Sequence, residues 1–263
     1  MKHITYILAI AAALLLTSCF QDLGQNPPFD FPEQPTPPPI GDDGQMFYLS
    51  FDEDLEDYQS LMEAAVVGSP TFTDGKSGKA YAGASNSYLT FDVANMAAPL
   101  SSDMTFTFWY KVNGSPDRAG ILVIGPPHEG NPANAQNNRT AGIRIFRENA
   151  GGMQRVKANV GNGTADSWVD GGILADLDPA TAGWVHIALV LASDKATLYM
   201  DGLAVQVTEF TGISWNGCDI ISIGSGAPRF NEWGHLSDNS LIDELRIYNK
   251  ALPASEIERM AAD

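Results

Sequence analysis

The sequence predicts an all-β fold, an antiparallel β-sandwich, and three observations lead to it. About eleven short apolar runs are separated by clusters of Gly, Asn, Asp and Pro, the spacing typical of strands joined by turns. Apolar and polar side chains alternate in several runs, as in Thr105–Trp109, so that every second side chain faces a core. A convincing helical pattern occurs at one place in the sequence, the end of the chain.

The first segment is typical of a secretory signal. Lys2 precedes an apolar run, Ile7–Leu16, that is shorter than the roughly 20 residues of a transmembrane helix. The run ends in the letters LTSC, which resemble the bacterial lipobox, where a peptidase cuts before the cysteine and a diacylglycerol is attached to it. We therefore predict a signal peptide at residues 1–18 and a lipid anchor on Cys19. This places the protein in the bacterial cell envelope, with the outer membrane as the expected site. The alternative is an ordinary signal peptide that happens to contain Cys19.

Residues 19–43 are predicted to form a tether. Seven prolines between Gln21 and Asp43 fix the backbone φ angle and remove hydrogen-bond donors, so this stretch should be an extended spacer. No second Pro-rich or charge-rich linker follows, and residues 44–263 are therefore predicted to form one domain. Lipidation of Cys19 leaves Cys218 without an intrachain partner, so the domain should fold without a disulfide.

The predicted strands follow one another through the domain. A tight hairpin is indicated by Asp201-Gly202, a dipeptide typical of two-residue turns. After the last strand, the letters LPASEIERM predict a helix with Pro253 near its start, a capping Ser or Ala, and acidic residues in its first turn. The predicted strand ranges are 46–51, 88–93, 104–112, 120–125, 142–148, 155–161, 184–192, 196–202, 203–210, 220–225 and 241–249.

Six segments together resemble a known family. In chain order they are FYLSFDED, DGKSGKAYAGASNSYLTFD, MTFTFWYKV, GWVHIALVLASDKATLYMDGLAV, ISIGS and LIDELRIYNKALPASEIERM. They resemble the laminin-G-like, concanavalin A-like domains of the lectin and glucanase superfamily, over about Met46 to Met260. The resemblance implies an antiparallel two-sheet jelly-roll sandwich with a short C-terminal helix, in which the first and last strands are neighbours in one sheet.

The adjacent acids Asp243 and Glu244 raise the question of glycosidase chemistry. Glucanases of this superfamily carry their acids as Glu-x-Asp-x-x-Glu on one strand, and a retaining mechanism needs two carboxyl groups about 5 Å apart. That motif does not occur in this sequence, and adjacent strand residues point to opposite faces of a sheet. We therefore predict no catalytic residue and a protein that is not an enzyme. A glycosidase with an unrecognised site is the alternative.

A structural calcium ion is implied by the resemblance. Many jelly rolls of this kind bind calcium where the first and last strands meet, and the corresponding residues here are Asp52 and Asp243. Asp74 or backbone carbonyls of the DGKSG turn would add ligands, because calcium takes six to eight oxygens. The alternative is that Asp52 and Asp243 are ordinary surface or turn residues.

The tryptophans divide into two groups. Trp109 and Trp184 fall in predicted strands and are expected in the core. Trp168, Trp215 and Trp233 fall in predicted loops or strand ends beside polar residues, as a sugar-binding platform requires, since an aromatic face packs on the apolar face of a pyranose. The alternative for each is a plug at the end of the sandwich.

Trp233 is the strongest single prediction for a ligand contact. It lies in RFNEWGHLSDN, a polar segment inserted where the family passes from a short turn into its last strand. Asn231, His235 and Asp238 are predicted to supply hydrogen bonds, with Trp168 and Trp215 as weaker alternatives. The Asn-rich stretch 125–140 is interpreted either as a binding loop or as a connection between strands.

Charge narrows the class of partner. The formal charge is −17, and cleavage before Cys19 removes Lys2 and leaves −18. Such a surface repels nucleic acids, heparin-like chains and anionic lipids, which favours a neutral oligo- or polysaccharide. The sequence thus predicts a non-catalytic, lipid-anchored glycan-binding protein. The alternative is a structural or protein-interaction module of an outer-membrane assembly.

Overall fold

The computed structural model describes residues 44–127 and 138–263, which belong to one compact unit. The predicted signal peptide, Cys19, the tether and most of the Asn-rich stretch lie outside the described residues. Within them the chain forms eighteen strands and one α-helix, so the all-β prediction is confirmed.

The elements have the following bounds. The strands are Gln45–Leu49 (β1), Glu56–Asp57 (β2), Met62–Glu63 (β3), Ala65–Val67 (β4), Thr71–Asp74 (β5), Lys79–Ala82 (β6), Tyr88–Asp92 (β7), Met104–Lys111 (β8), Arg118–Gly125 (β9), Ile143–Ala150 (β10), Met153–Gly161 (β11), Asp166–Asp170 (β12), Asp176–Leu177 (β13), Val185–Leu191 (β14), Lys195–Met200 (β15), Leu203–Glu209 (β16), Ile220–Ile223 (β17) and Leu241–Tyr248 (β18). The helix is Ala254–Ala262 (α1), and short 3₁₀ turns span Val93–Asn95, Gly172–Ala175 and Glu232–Gly234.

Two large antiparallel sheets make up the sandwich. We name them the back sheet, in the order β16-β15-β14-β8-β18-β6-β5, and the front sheet, in the order β12-β11-β10-β9-β17-β7-β4. In the back sheet β1 also pairs with β18, which confirms that the first and last strands are neighbours. β13 pairs with β11 in the front sheet, and β2 and β3 form a separate two-stranded ribbon.

The core lies between the sheets because the strands alternate. Phe106 and Phe108 on β8 are fully buried and lie opposite Leu189 and Ile187 on β14. Burial of each such side chain contributes about 1.5–3 kcal/mol. The intervening residues of β8 point to the outer face of the back sheet, and among these is Trp109.

Three local expectations are corrected. Trp109 lies on an outer sheet face rather than between the sheets, and Trp184 lies just before β14 and is half-buried. Trp168 lies within β12 rather than in a loop. The sequence does not reveal this strand, because β12 has only one buried residue and therefore almost no alternating pattern.

The C-terminal helix covers part of the outer face of the back sheet. Ile257 packs there in a small cluster with Leu252, Tyr248 and Tyr199. Its N-cap is Pro253, with no side-chain capping bond, rather than the predicted Ser or Ala. Of the helices in the described part of the chain, none has the length and hydrophobicity of a membrane span.

Candidate functional site

Trp168 and Trp233 come together on the outer face of the front sheet. Their ring centroids are 6.0 Å apart and their planes are inclined by 36°. The two residues are 40% and 51% exposed, although tryptophan is usually well buried. We call these two residues the tryptophan pair. The sequence predicts each of them separately as a ligand contact, and the fold brings them together into one surface.

Strand register places Trp168. On β12 it lies opposite Asn159 of β11, and its neighbour Val169 turns into the core with no exposed surface. Adjacent strand residues point to opposite faces, so Trp168 must point outward. The Trp168 carbonyl also accepts a hydrogen bond of 3.1 Å from the Thr208 hydroxyl, which ties β12 to β16.

A left-handed turn places Trp233. Its backbone has φ 55° and ψ 18° inside the Glu232–Gly234 turn, a conformation uncommon outside glycine. The turn is held by a hydrogen bond of 3.1 Å from the Gly234 amide to the Asn231 carbonyl. Arg118 donates to the Trp233 carbonyl at 3.0 Å. The main chain is therefore fixed on both sides of the exposed ring.

Three buried rings support the tryptophan pair. His235 stacks on Phe230 with centroids 4.7 Å apart and an angle of 16°, and it meets the edge of Phe146 at 4.7 Å. Trp168 packs edge-on against Phe146 at 5.8 Å, and Trp233 packs against His235 at 6.2 Å. Because Phe146, Phe230 and His235 are essentially unexposed, they form a fixed aromatic base under two exposed rings.

His235 acts from below the surface. Its Nε2 atom lies 3.1 Å from Glu148, which also pairs with Lys157 at 3.1 Å. The hydrogen bond from His235, with help from Lys157, lowers the pKa of Glu148 to about 2, so this carboxylate stays ionised. His235 has no exposed surface, so its contacts position the aromatic base rather than reach a ligand.

Polar groups border the tryptophan pair. The Arg139 guanidinium lies 5.6 Å from the Trp168 ring and 5.3 Å from the Trp233 ring. Its Nε donates to Asp166 at 3.1 Å, and the Asn159 amide donates to the same oxygen at 2.7 Å. The sequence does not predict Arg139, Asp166 and Asn159 as site residues, because no local pattern distinguishes them. The opposite charges of Arg139 and Asp166 offset each other beside the exposed rings.

Asp238 lies inside the sandwich. It is 1% exposed, and one carboxylate oxygen accepts bonds from Arg147 at 2.8 Å and from the Ser240 hydroxyl at 2.7 Å. The other oxygen accepts a bond from the Tyr110 hydroxyl. Burial, reinforced by the Asp238 charge, raises the pKa of Tyr110 well above its usual value, so the phenol remains a donor. Asp238 therefore anchors the inserted segment. All of these bonds join it to other protein groups, so the ligand contact predicted from the sequence stays a prediction.

Asn231 and Trp215 are also placed by the structure. The Asn231 side-chain oxygen is buried and has no hydrogen-bond partner among the described residues. Trp215 lies elsewhere, half-buried against the main core, where its indole N–H donates to the Ser101 carbonyl at 2.7 Å and its ring lies 6.4 Å from Phe106. Trp215 therefore matches the plugging alternative.

The predicted calcium ligands surround the turn between β5 and β6. Asp243 accepts hydrogen bonds from the amides of Lys76 at 2.7 Å and Ser77 at 3.0 Å. Asp52 accepts one from the Lys79 amide at 2.7 Å. Asp74, whose side chain is 96% exposed, pairs with the Lys79 ammonium at 3.0 Å. The three carboxylates thus contact hydrogen-bond donors of the β5–β6 hairpin.

These contacts do not form a ready calcium ligand set. Asp243 has one buried oxygen without a partner among the described residues, and burial raises the pKa of this carboxyl to about 6. No group of three or more His, Cys, Asp or Glu residues in the described ranges is arranged to hold a metal ion. Calcium needs six to eight oxygens, so the calcium site stays a prediction.

Chelation tests it. If calcium binds the folded state at a hundredfold excess over Kd, its removal should lower the free energy of unfolding by about 2.7 kcal/mol. Thermal melting with and without chelator measures this, and Asp243→Asn should abolish the difference. An unchanged melting temperature in protein shown to be free of trapped metal contradicts the site.

The carboxylates of Asp243 and Glu244 have different partners. Glu244 sits at a bulge in β18 with φ 53°, where it accepts bonds from the Tyr48 hydroxyl at 3.0 Å and from Arg246. Asp243 instead contacts the turn between β5 and β6. The pair therefore does not present two carboxylates to one substrate.

Comparisons with known proteins agree with this fold. The model of the concanavalin A-like lectin/glucanases superfamily matches residues 83–258. No curated protein sequence matches the chain. Among solved structures, domain 4 of AbnA, a GH43 extracellular arabinanase from Geobacillus stearothermophilus solved with arabinotriose, has a TM-score of 0.60 at 20% identity, covering 82% of this chain and 98% of that one.

Two toxin domains have the same fold. The binding domain of botulinum neurotoxin DC, solved with rat synaptotagmin II, has a TM-score of 0.57 at 12% identity, covering 84% of this chain and 51% of that one. The binding domain of Paraclostridial Mosquitocidal Protein 1 has a TM-score of 0.54 at 16% identity, with coverages of 83% and 52%. The chain therefore spans about half the length of these toxin domains.

Proposed function

The chain belongs to the concanavalin A-like lectin/glucanases superfamily, and from this premise we propose that it is a non-catalytic module that binds a neutral oligo- or polysaccharide on the tryptophan pair. The observation that carries the proposal is the convergence of two exposed indole rings, 6.0 Å apart, on a buried aromatic base. Nothing in the packing of the sandwich requires either ring to be exposed.

The surroundings of the pair match the chemistry of a sugar. Indole faces take up the apolar face of a pyranose, and convergent polar groups take up its hydroxyls. Arg139 offers donors and Asp166 offers acceptors at the border of the rings. Since their charges offset each other, and the chain carries −17 overall, this border favours an uncharged ligand over a polyanion.

The solved structures support a binding role. The arabinanase domain was solved with arabinotriose, and nearly its full length aligns with this chain. The two toxin domains are named as binding domains. The sequence lacks the Glu-x-Asp-x-x-Glu motif, which supports the non-catalytic part of the proposal. Incubation of the protein with a glycan that it binds should therefore release no new reducing ends.

Trp233→Ala tests the proposal. Once a glycan array has identified a neutral ligand, this change should weaken binding by about 1–3 kcal/mol, or roughly ten- to hundredfold, because one stacking face is lost. Titration calorimetry measures the affinity, and Trp168→Ala should show a similar loss. Because both rings belong to one surface, the double variant should lose less than the sum.

A matched control separates binding from folding. Leu203→Ala also truncates an exposed apolar side chain, 69% exposed, but on the back sheet, and should leave the affinity unchanged. Unchanged affinity in a Trp233→Ala protein with normal melting would remove the tryptophan pair from the site. Unfolding of that variant would instead show that Trp233 is a packing residue.

A second candidate function is a protein-interaction module of an outer-membrane assembly. Ile173 and Leu174 are neighbours in the Gly172–Ala175 turn and are 81% and 66% exposed, and adjacent apolar side chains on the surface favour a protein contact. Ile173→Ser with Leu174→Ser should leave glycan affinity unchanged under the first proposal. Loss of a defined cross-link to an envelope protein in this variant would favour the second.

We also propose that Cys19 carries a lipid anchor that holds the protein on the bacterial outer membrane. Several acyl chains hold a protein stably to a bilayer, whereas one chain holds it only marginally. Cys19→Ala should therefore release the protein from washed membrane fractions into the soluble fraction, as measured by immunoblotting. Retention of the variant on washed membranes contradicts the anchor.

A further inference from the structure

A concave site lies on the opposite side of the sandwich from the tryptophan pair. It is a cavity of about 400 Å³ on the outer face of the back sheet, beside the end of α1. Its volume falls in the range of small-molecule pockets, roughly 300–1,000 Å³. Its wall includes Lys76, Trp109, His186, Glu244, Arg246 and Arg259.

Register and a turn build the cavity. Trp109 on β8 lies opposite His186 on β14, and their rings meet edge to face at 5.3 Å. The turn between β5 and β6, held by Asp243, carries Lys76 over this pair, with its ammonium 4.2 Å from the centre of the Trp109 ring. The aromatic pair and the ammonium therefore share one wall.

His186 is an incompletely satisfied group in that wall. It is 3% exposed, and its Nε2 lies 2.6 Å from the Thr107 hydroxyl, whereas its Nδ1 is buried without a partner among the described residues. Burial, together with the charges of Arg246 and Lys76, lowers the pKa of His186 to about 4, so the ring is neutral at pH 7. Because the Nδ1 atom has essentially no accessible surface, His186 holds the Trp109 ring in the wall and does not itself contact a ligand.

The cations around the cavity differ in whether a carboxylate pairs with them. Arg246 pairs with Glu244, and Arg259 pairs both with Glu256 at 2.6 Å and with Asp263 at 3.0 Å. Lys76 makes no ion pair with a carboxylate of residues 44–127 or 138–263, and its ammonium contacts the Trp109 face instead. Lys76 is thus the cation of this wall without a carboxylate partner among the described residues, in a chain whose formal charge is −17.

We propose that this cavity is a separate binding site for a small monocarboxylate of about monosaccharide size, such as a single sugar acid. Its carboxylate pairs with Lys76, and its hydroxyls lie beside Trp109. Because Lys76 is the cation of the wall without a carboxylate partner among the described residues, the cavity takes one carboxylate. A polyanionic chain is still repelled by the acidic surface around it.

Glucuronate titrated into the whole domain tests the proposal. We expect a saturable shift of the Trp109 indole N–H signal in the NMR spectrum, and at least tenfold weaker binding in Lys76→Gln. Lys79→Gln is the matched control, because Lys79 lies in the same hairpin and pairs with Asp74 but does not line the cavity. Lys79→Gln and Trp233→Ala should both bind glucuronate like the wild type.

Glucose and acetate separate the parts of the ligand. Glucose should bind at least tenfold more weakly than glucuronate, because it lacks the carboxylate, and acetate should also bind more weakly, because it lacks the hydroxyls. The proposal is overturned if no saturable shift occurs at Trp109, or if glucose or acetate binds as tightly as glucuronate. Equal loss of binding in Lys76→Gln and Lys79→Gln would also overturn it, since the effect would then be one of general charge.

Discussion

Replacing Asp238 by Ala is expected to lower the free energy of unfolding by about 3–5 kcal/mol, because the change leaves a buried guanidinium without its counter-charge. The side chains of Asp238 and Arg147 are 1% and 0% exposed, and they meet at 2.8 Å. In a surface ion pair, water hydrates one partner when the other is removed. Neither Asp238 nor Arg147 can be hydrated in this way, because both are buried.

The effect should extend to the glycan site. Arg147 lies on β10 of the front sheet and Tyr110 on β8 of the back sheet, and both bond to Asp238 in the segment that leads into β18. Arg147 also donates to the Pro116 carbonyl at 2.6 Å and to Gln154. Loss of Asp238 therefore releases the segment that carries Trp233, and glycan affinity should fall although Asp238 does not face the ligand.

Equilibrium denaturation measures the change, and Asp176→Ala is the control. Arg155 and Asp176 form a more exposed ion pair at 2.6 Å, whose loss should be worth about 1 kcal/mol or less. The double change Arg147→Met with Asp238→Leu should recover much of the stability, because both buried charges are then gone. If Asp238→Ala is no more destabilising than Asp176→Ala, the buried pair is not an anchor.

The strands that could be predicted from the sequence are those with a clear alternation of buried and exposed residues. All eleven predicted runs are strands, and the pairing of β1 with β18 follows from the family resemblance. The runs that escaped prediction lack this signal. In β4 all three residues are exposed, and in β5 no residue is fully buried, so neither shows a period of two.

Trp168 and Trp233 could each be identified from the sequence as candidate ligand contacts, but their contact with each other could not be predicted. Their contact depends on the register of β12 with β11 and on the path of a distant segment, and neither leaves a local pattern. One signal was present on β10, where Phe146 lies on the outward face between Arg144 and Glu148. A large aromatic residue at an outward position indicates a covered or functional face.

The role of Asp238 also had a signal in the sequence. Ile143 and Ile145 face the core from β10, and the same alternation turns Arg147 inward. An inward-facing arginine requires a buried acid, because burial of an unpaired charge is strongly unfavourable. Asp238 was instead interpreted as an exposed ligand residue because it lies in a polar insertion.

Gly226→Ala should disrupt the tryptophan pair by displacing the segment that carries Trp233. A Cβ atom on Gly226 would lie well inside 3.0 Å of two backbone oxygens, those of Phe230 and His235. Both residues belong to the aromatic base, and the Gly226 carbonyl also accepts the Phe230 amide at 2.6 Å. Because the clash is with main chain on two sides, no side chain can rotate to relieve it, and the segment must move.

Overpacking of this kind typically costs about 1–3 kcal/mol, and two backbone clashes should place Gly226→Ala near the upper end. Glycan affinity should fall at least as far as in Trp233→Ala, since the ring and its base are displaced together. Gly183→Ala is the control, because neither glycine has a positive φ and a Cβ on Gly183 would meet no atom within 4 Å. Calorimetry and thermal melting of the two variants measure both effects. If Gly226→Ala binds and melts like Gly183→Ala, the close approach of Gly226 to the carbonyls of Phe230 and His235 does not hold Trp233 in place.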